Sequence, residues 1–255
     1  MTSAVSNTAP NAPLIIWTLQ RTGGTNLTAH LVQRSGLPAV PHEPFNGDRN
    51  WGYVAQNWLR DQDEAALATA MREICARPTV IKHCVENVPS AVNQALARAS
   101  VQSGFKHFFL YRRDPLDRLL SLHFANVTGV WGPGVKPTAE MLAQQVLPVE
   151  RLVAHERRCS GELTALWRLL RELGVQPHAL AFEDLYQAQS LAVAAERLTA
   201  LFAYLGWQGG AGDALALAQE VVGKGNQGTR HKYQEFAGRA ELARALESVP
   251  RFMPF

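Results

Sequence analysis

The stretch that decides the fold is LIIWTLQRTGGTNLTAHLVQRSG, residues 14–36. It opens with a continuous apolar and β-rich run, LIIWTL, which is typical of a strand buried on both faces of a sheet. The paired glycines Gly23 and Gly24 interrupt this run, and the leucines that follow have helical spacing as far as Gly36. The stretch therefore predicts a central strand, a glycine turn and a helix.

The same order recurs along the chain. Apolar runs at 79–84 and 106–111 each precede a helical pattern, and a fourth strand is expected at 179–182. Helical patterns lie between the runs, at 62–76, 89–102, 115–127, 147–173 and 190–205. Strands that alternate with helices predict an α/β fold, a three-layer sandwich with a central, mostly parallel sheet flanked by helices.

Neither an internal repeat nor a clear linker divides the 255 residues. We therefore expect one domain over 13–255, preceded by a flexible tail at 1–12. The first apolar run is too short for a signal peptide, and no segment approaches the length of a membrane span. These features favour a cytoplasmic protein without a membrane span.

Charge and cysteine content restrict the function classes. The net charge of +3 is too small to indicate nucleic-acid binding by bulk electrostatics. The three cysteines are an odd number without metal-ligand spacing, so they indicate neither a disulfide framework nor a zinc site. Reduced thiols in a cytoplasm fit this composition best.

The glycine turn has the chemistry of a phosphate site. A turn between a strand and a helix directs backbone N–H groups at one point, where the helix N-terminus adds partial positive charge. GxxxxGK[ST] and GxGxxG are both absent, which weakens kinase, GTPase and dinucleotide interpretations, while a plain tight turn is the structural alternative. The candidate anion ligands of the turn are Arg21, Thr22, Gly23, Gly24, Thr25 and Asn26.

A second candidate anion site lies in FLYRRDPLDRLLSLHF, residues 109–124. Asp114 is a candidate N-cap and Pro115 is expected in the first helical turn, so the helix should begin just after Arg113. Ser121 lies about two turns into this helix, on the face beside the strand end. Arg113 and Ser121 are therefore able to share one phosphate.

Two of these segments together resemble the sulfotransferase family that uses 3′-phosphoadenosine 5′-phosphosulfate (PAPS), bacterial members included. They are RTGGTNL at 21–27 and RDPLDRLLS at 113–121, and their order in the chain also matches. The resemblance implies a P-loop NTPase-like sulfotransferase fold, PAPS as donor and 3′-phosphoadenosine 5′-phosphate (PAP) as product. It also implies that the glycine turn binds the 5′-phosphosulfate and that Arg113 and Ser121 bind the 3′-phosphate.

Weaker similarities extend the resemblance from residue 14 to about 235. AFEDL at 181–185 is similar to the family's YEDL segment, with Phe182 in the tyrosine position. GKGNQGTRHKY at 223–233 is similar to the family's late basic loop over the cofactor. By this resemblance Lys224, Gly225 and Arg230 are further candidate contacts to the 3′-phosphate.

Glu43 is the first candidate for the general base. It lies with His42 in a proline-bounded turn after the first predicted helix, and in bacterial and glycan-acting sulfotransferases a glutamate at the similar place is the base. The alternative is a solvated loop carboxylate. An aromatic segment follows, with a composition suited to an acceptor pocket: Phe45, Trp51, Tyr53 and Trp58.

The strand TVIKHC offers two more candidates. His83 is a rival base, because cytosolic members of the family keep a catalytic histidine near this strand end. His83 lies one residue before the position of that histidine, which Cys84 occupies here. The alternative is therefore that His83 is a hydrogen-bonded polar group at the strand end without a catalytic role. Lys82 matches a lysine that the family keeps, where an ammonium neutralises charge on the bridging oxygen or holds the acceptor. His42 is the third candidate base.

The resulting hypothesis is transfer of a sulfuryl group from PAPS to a hydroxyl or amine of a small-molecule, sugar, lipid or peptide acceptor. No metal is predicted, because Arg21, Lys82, Arg113 and two helix N-termini balance the donor's charge. The alternatives are a P-loop-like kinase or nucleotide hydrolase, and a catalytically silent nucleotide-binding protein. The helix at 147–173 is a candidate homodimer contact or cleft wall, although a solvated face is the simpler interpretation.

Overall fold

Four parallel strands form the sheet in the described part of the chain, in the order β2-β1-β3-β4. The computed structural model describes residues 11–38, 40, 43–131, 146–207, 210–225 and 236–254. The order makes β1 an inner strand, as its apolar run predicts. The strands are β1 (Leu14–Thr18), β2 (Val80–Cys84), β3 (Lys106–Tyr111) and β4 (His178–Ala181).

Helices connect and flank these strands. The described residues form α1 (Gly24–Ser35), α2 (Gly52–Asp61), α3 (Glu64–Cys75), α4 (Ser90–Gln102), α5 (Leu116–Thr128), α6 (Val149–Glu172), α7 (Phe182–Tyr186), α8 (Leu191–Leu205), α9 (Ala211–Gly225) and α10 (Arg239–Leu246). A short 3₁₀ turn, Val85–Asn87, follows β2. No described helix has the length and apolar character needed to cross a membrane.

Side chains of β1 alternate between two hydrophobic cores. Ile15 and Trp17 pack in a core that includes residues of α3, α4 and α6, whereas Leu14 and Ile16 pack in a core that includes residues of α1, α8 and α9. Successive residues of a strand point to opposite faces, so each core covers one face of the sheet. Helices therefore flank the all-parallel sheet on both sides, which is consistent with the predicted three-layer sandwich.

The predicted strands and helices agree with the structure apart from small shifts at their ends. The fourth strand ends at Ala181, one residue earlier than expected, because Phe182 begins α7. Pro115 is the N-cap of α5 rather than part of its first turn. Asp114 still performs the capping chemistry, since its side chain accepts a hydrogen bond of 3.0 Å from the Leu116 N–H.

Candidate functional site

The candidate site lies at the carboxyl edge of the sheet, where the connections that follow the parallel strands meet. In the turn after β1, Arg21 and Gly23 have left-handed backbones, with φ of 63° and 78°. A Cβ added to Gly23 would lie 2.8 Å from the ring of Tyr186, and one added to Gly24 would lie 2.9 Å from Cε of Lys82. Both glycines therefore permit close approach of a side chain from another segment.

The predicted polar ligands of this turn differ in their surroundings. Arg21 Nε donates a hydrogen bond to Ser121 Oγ at 2.9 Å, and its Nη1 donates to the Trp131 carbonyl at 3.0 Å. Thr22 is buried, and its hydroxyl has no hydrogen-bond partner within the described residues. Thr25 is exposed beside it. The turn thus offers a guanidinium and two hydroxyl groups at the N-terminus of α1.

Asn26 connects the first turn of α1 to α9. Its amide donates a hydrogen bond to the Val221 carbonyl at 3.1 Å. The last turn of α9, which contains the backbone of Lys224 and Gly225, therefore starts beside the glycine turn. Arg230 lies outside the described residues, and so do the ligand contacts predicted for the late basic loop.

Glu43 and Lys82 form an ion pair beside the first turn of α1. Lys82 Nζ lies 2.5 Å from Glu43 Oε1, and the two side chains are 4% and 20% exposed. The other carboxylate oxygen, Oε2, accepts hydrogen bonds from the amides of Asn46 at 3.0 Å and Asn87 at 3.2 Å. The chain thus brings together two predicted site residues that lie far apart in sequence.

The pair keeps both charges at neutral pH. Burial by itself would raise the pKa of Glu43, but the Lys82 ammonium and the hydrogen bonds from Lys82 and Asn46 outweigh it, so this pKa is lowered. Burial would likewise lower the pKa of Lys82, but Cys84 and Glu43 beside the ammonium raise it. Glu43 is therefore a carboxylate whose proton affinity is suppressed while Lys82 stays in contact.

His83 points to the opposite face of the sheet from Lys82, as the alternation of β2 requires. Its Nε2 lies 2.6 Å from Asn93 Oδ1, and its ring makes edge contacts with Trp17 and Phe45. Burial lowers the pKa of His83 to about 4, so the ring is neutral. The structure thus surrounds His83 with core residues, on the opposite face of β2 from the Lys82 side chain that contacts Glu43. His42, the third candidate, lies outside the described residues.

The two predicted 3′-phosphate ligands have different partners. Ser121 is buried and accepts the hydrogen bond from Arg21, so α5 contacts the glycine turn directly. The Arg113 guanidinium forms two hydrogen bonds, of 2.7 and 2.9 Å, with the carboxylate of Asp184 on α7. Its side chain is 48% exposed, so this ion pair is open to exchange with an anionic ligand.

Helix α7 contacts both segments that were predicted to bind phosphate. Phe182 stacks on Tyr186 with a centroid distance of 4.6 Å, and the Tyr186 hydroxyl donates to the Gly23 carbonyl at 2.7 Å. The guanidinium of Arg112 lies 3.6 Å from the centre of the Phe182 ring. Sequence reasoning missed Arg112, Asp184 and Tyr186, although a tyrosine four residues after Phe182 was a detectable feature, because helical spacing places it on the same face.

The aromatic residues after Glu43 do not form one pocket. Phe45 is buried and packs against Trp51 and His83, so it belongs to the core. Tyr53 and Trp58 instead line a surface groove between α2 and α3. The expected acceptor pocket is therefore divided, with only part of its aromatic set open to a ligand.

A buried charge cluster lies behind the turn. Glu86 accepts a hydrogen bond of 2.6 Å from the Gln20 backbone N–H, and its carboxylate lies 4.0 Å from the Arg118 guanidinium. Arg118 is also paired with Glu156 of α6, and the side chains are only 1–9% exposed. Burial raises the pKa of Glu86 despite the opposing charge of Arg118. This cluster fixes the start of the turn, and sequence reasoning did not detect it.

The site thus combines a glycine turn that offers hydrogen-bond donors with a carboxylate paired to a lysine. Among the described residues, no group of three or more His, Cys, Asp or Glu side chains has an arrangement that would hold a metal ion. No protein-family model matches the chain, and no curated protein matches it significantly.

Proposed function

We propose that this protein is a PAPS-dependent sulfotransferase with a P-loop-like fold, which transfers a sulfuryl group to a hydroxyl or amine acceptor. The observation that supports the proposal most is the Glu43–Lys82 ion pair at the first turn of α1. A candidate base and a candidate charge-stabilising cation lie at the edge where the glycine turn would bind a phosphosulfate.

The residues present fit such a donor. The Thr22 hydroxyl has no hydrogen-bond partner among the described residues, and together with the Arg21 guanidinium and the N-terminus of α1 it offers donors and positive charge to an anionic group. Arg113 would exchange Asp184 for the 3′-phosphate. When bound, PAPS supplies the activated sulfuryl group.

The protein's part in the reaction is positioning, charge stabilisation and proton removal, as in loose phosphoryl transfer. An anionic donor competes with Glu43 for the Lys82 ammonium. As Lys82 turns to the donor, the pKa of Glu43 rises and its Oε1 becomes available to accept the acceptor's proton. The Lys82 ammonium would then supply positive charge to the oxygen of the departing group.

Calorimetry with PAP and with ATP tests the nucleotide preference. We expect the protein to bind PAP more tightly than ATP, and to do so without magnesium. A preference for ATP would overturn the proposal in favour of a kinase or hydrolase.

Turnover is then tested with labelled PAPS and a panel of acceptors. Replacing Glu43 by glutamine should lower turnover by at least about 100-fold and leave PAP affinity nearly unchanged. If the Glu43→Gln variant stays fully active, the base is His42 or His83. PAP binding without transfer to any acceptor would support the catalytically silent alternative.

A further inference from the structure

Two asparagine side chains hold one oxygen of the Glu43 carboxylate. The Asn46 and Asn87 amides both donate to Oε2, at 3.0 and 3.2 Å, and Asn87 also donates to Asn46 Oδ1 at 2.9 Å. Lys82 is on the other oxygen, Oε1, at 2.5 Å. The carboxylate is therefore divided into a side held by neutral amides and a side held by a single ammonium.

The backbone supports the same orientation. Glu43 has a left-handed backbone with φ of 55°, and its carbonyl accepts a hydrogen bond of 3.0 Å from the Asn46 N–H. A non-glycine residue adopts this conformation at a cost, which the surrounding contacts must offset. Asn46 contacts Glu43 through both its backbone and its side chain, and so it connects the tight turn to the carboxylate.

We infer that Asn46 and Asn87 are positioning residues for Glu43, which keep Oε1 directed at the first turn of α1 after Lys82 has turned toward an anionic ligand. Without them, loss of the ammonium would leave the half-buried carboxylate with fewer hydrogen bonds to fix its orientation. This inference rests on the proposed function only in treating Glu43 as the base. The contacts themselves do not depend on it.

The amides should also set the proton affinity of Glu43. Hydrogen bonds to a carboxylate favour its charged form, so removing one raises the pKa. Among the described residues, the other ionisable groups near Glu43 are Lys82 and Cys84 of β2, Glu86 of the 3₁₀ turn and, from the opposite face, His83. Replacing Asn87 by leucine changes none of these groups, keeps a similar volume, and removes the two hydrogen bonds that the Asn87 amide donates, to Glu43 Oε2 and to Asn46 Oδ1.

Infrared titration of the full chain measures this pKa directly, with the Glu43→Gln variant as the spectral blank. We expect Asn87→Leu to raise the pKa of Glu43 by about one unit. Asn57→Leu is the matched control, because Asn57 lies on α2 and contacts Arg60 rather than Glu43. An unchanged Glu43 pKa in folded Asn87→Leu would overturn the inference.

The slow release of labelled sulfate from PAPS to water gives a second readout that needs no acceptor. Asn87→Leu should reduce the maximal rate about tenfold with little change in the KM for PAPS, and shift the acidic limb of the pH profile upward. If Asn87→Leu does not fold, Asn46→Ala provides the same tests. If the variant raised only the KM and kept the maximal rate and pH profile of the unmodified protein, the positioning role of the asparagines would be contradicted.

These outcomes are separable from those of the proposed function. Failure of PAP to bind, or full activity of Glu43→Gln, would reject the donor or the base. A Glu43 pKa that does not respond to Asn87 or Asn46 would reject the positioning role alone.

Discussion

Two ion clusters lie at the carboxyl edge of the sheet, and they differ in access to solvent. In the pair formed by Glu43 and Lys82, the glutamate is 20% exposed. In the cluster of Glu86, Arg118 and Glu156, the side chains are only 1–9% exposed. Both contact the glycine turn, through Lys82 against Gly24 and through Glu86 to the Gln20 N–H.

The difference in exposure suggests that the buried cluster supports the turn, whereas the Glu43–Lys82 pair is accessible to a ligand. A sealed cluster cannot exchange its partners for a ligand without unfolding part of the core, so its role is to hold the turn in place. A pair with one partly exposed member can exchange partners when an anion arrives. Experiments that remove one charge from each group should therefore affect stability and activity in different proportions.

The largest loss of stability is expected from Arg118→Met. It leaves the carboxylates of Glu86 and Glu156 buried without a counter-charge, which should cost about 3–5 kcal/mol of unfolding free energy at neutral pH. Urea unfolding followed by circular dichroism measures this loss. Arg151→Met, at an exposed position of α6, is the control and should change stability by less than about 0.5 kcal/mol. A loss below about 1 kcal/mol for Arg118→Met would contradict a supporting role.

A smaller effect on the free energy of unfolding, of roughly 1 kcal/mol, is expected for Glu43→Gln and Glu86→Gln, and its dependence on pH should have opposite signs in the two variants. The folded pKa of Glu43 lies below its ordinary value of 4.5, so its carboxylate contributes stability above this pH that is lost as the pH falls through the folded pKa. The folded pKa of Glu86 lies above 4.5, so the stability that its protonated form contributes is present below this pH and is lost as the pH rises through the folded pKa.

The destabilisation by Glu43→Gln should therefore grow from acidic to neutral pH, whereas that by Glu86→Gln should shrink. Urea unfolding of both variants and the unmodified protein, at fixed salt from about pH 3.5 to 7, checks the two slopes. If the destabilisation by both variants changed with pH in the same direction, the pKa values of Glu43 and Glu86 would not be shifted in opposite directions.

The smallest change in stability is expected from Arg113→Ala. Its ion pair with Asp184 is largely exposed, so the loss should stay within about 1 kcal/mol. PAP affinity should nevertheless fall about tenfold or more, because the charge-assisted contact to phosphate that we propose for Arg113 would be lost. Calorimetry and urea unfolding of one preparation compare both quantities. Unchanged PAP affinity would place the 3′-phosphate elsewhere.

Much of the fold followed from local patterns. The run at Leu14–Thr18 is apolar at every position except Thr18, which predicts an inner strand, and glycines follow it where the chain turns into α1. No helix was predicted where α2, α7, α9 and α10 lie. Their place is decided by packing against distant elements.

Residues of the candidate site could be predicted from sequence only where they lie in or beside a recognisable motif. Glu43 and Lys82 were each proposed separately, and the structure joins them. The role of Arg118 could not be read from its surroundings in sequence, because an arginine on a helix is usually solvated and its two acidic partners lie on other segments. Strand alternation did imply that Lys82 and His83 face opposite sides, but only the packing of α1 and α4 decides which side holds the glycine turn.

The left-handed backbone at Glu43 restricts which residues this position can accept. Glycine would adopt a φ of 55° without strain, but it would leave the ammonium of Lys82, only 4% exposed, without its counter-charge. Alanine would keep the strain and lose the charge as well. Aspartate tolerates a left-handed backbone and keeps a carboxylate, but its shorter side chain would draw that carboxylate back from the Lys82 ammonium, so the backbone and the ion pair together constrain residue 43.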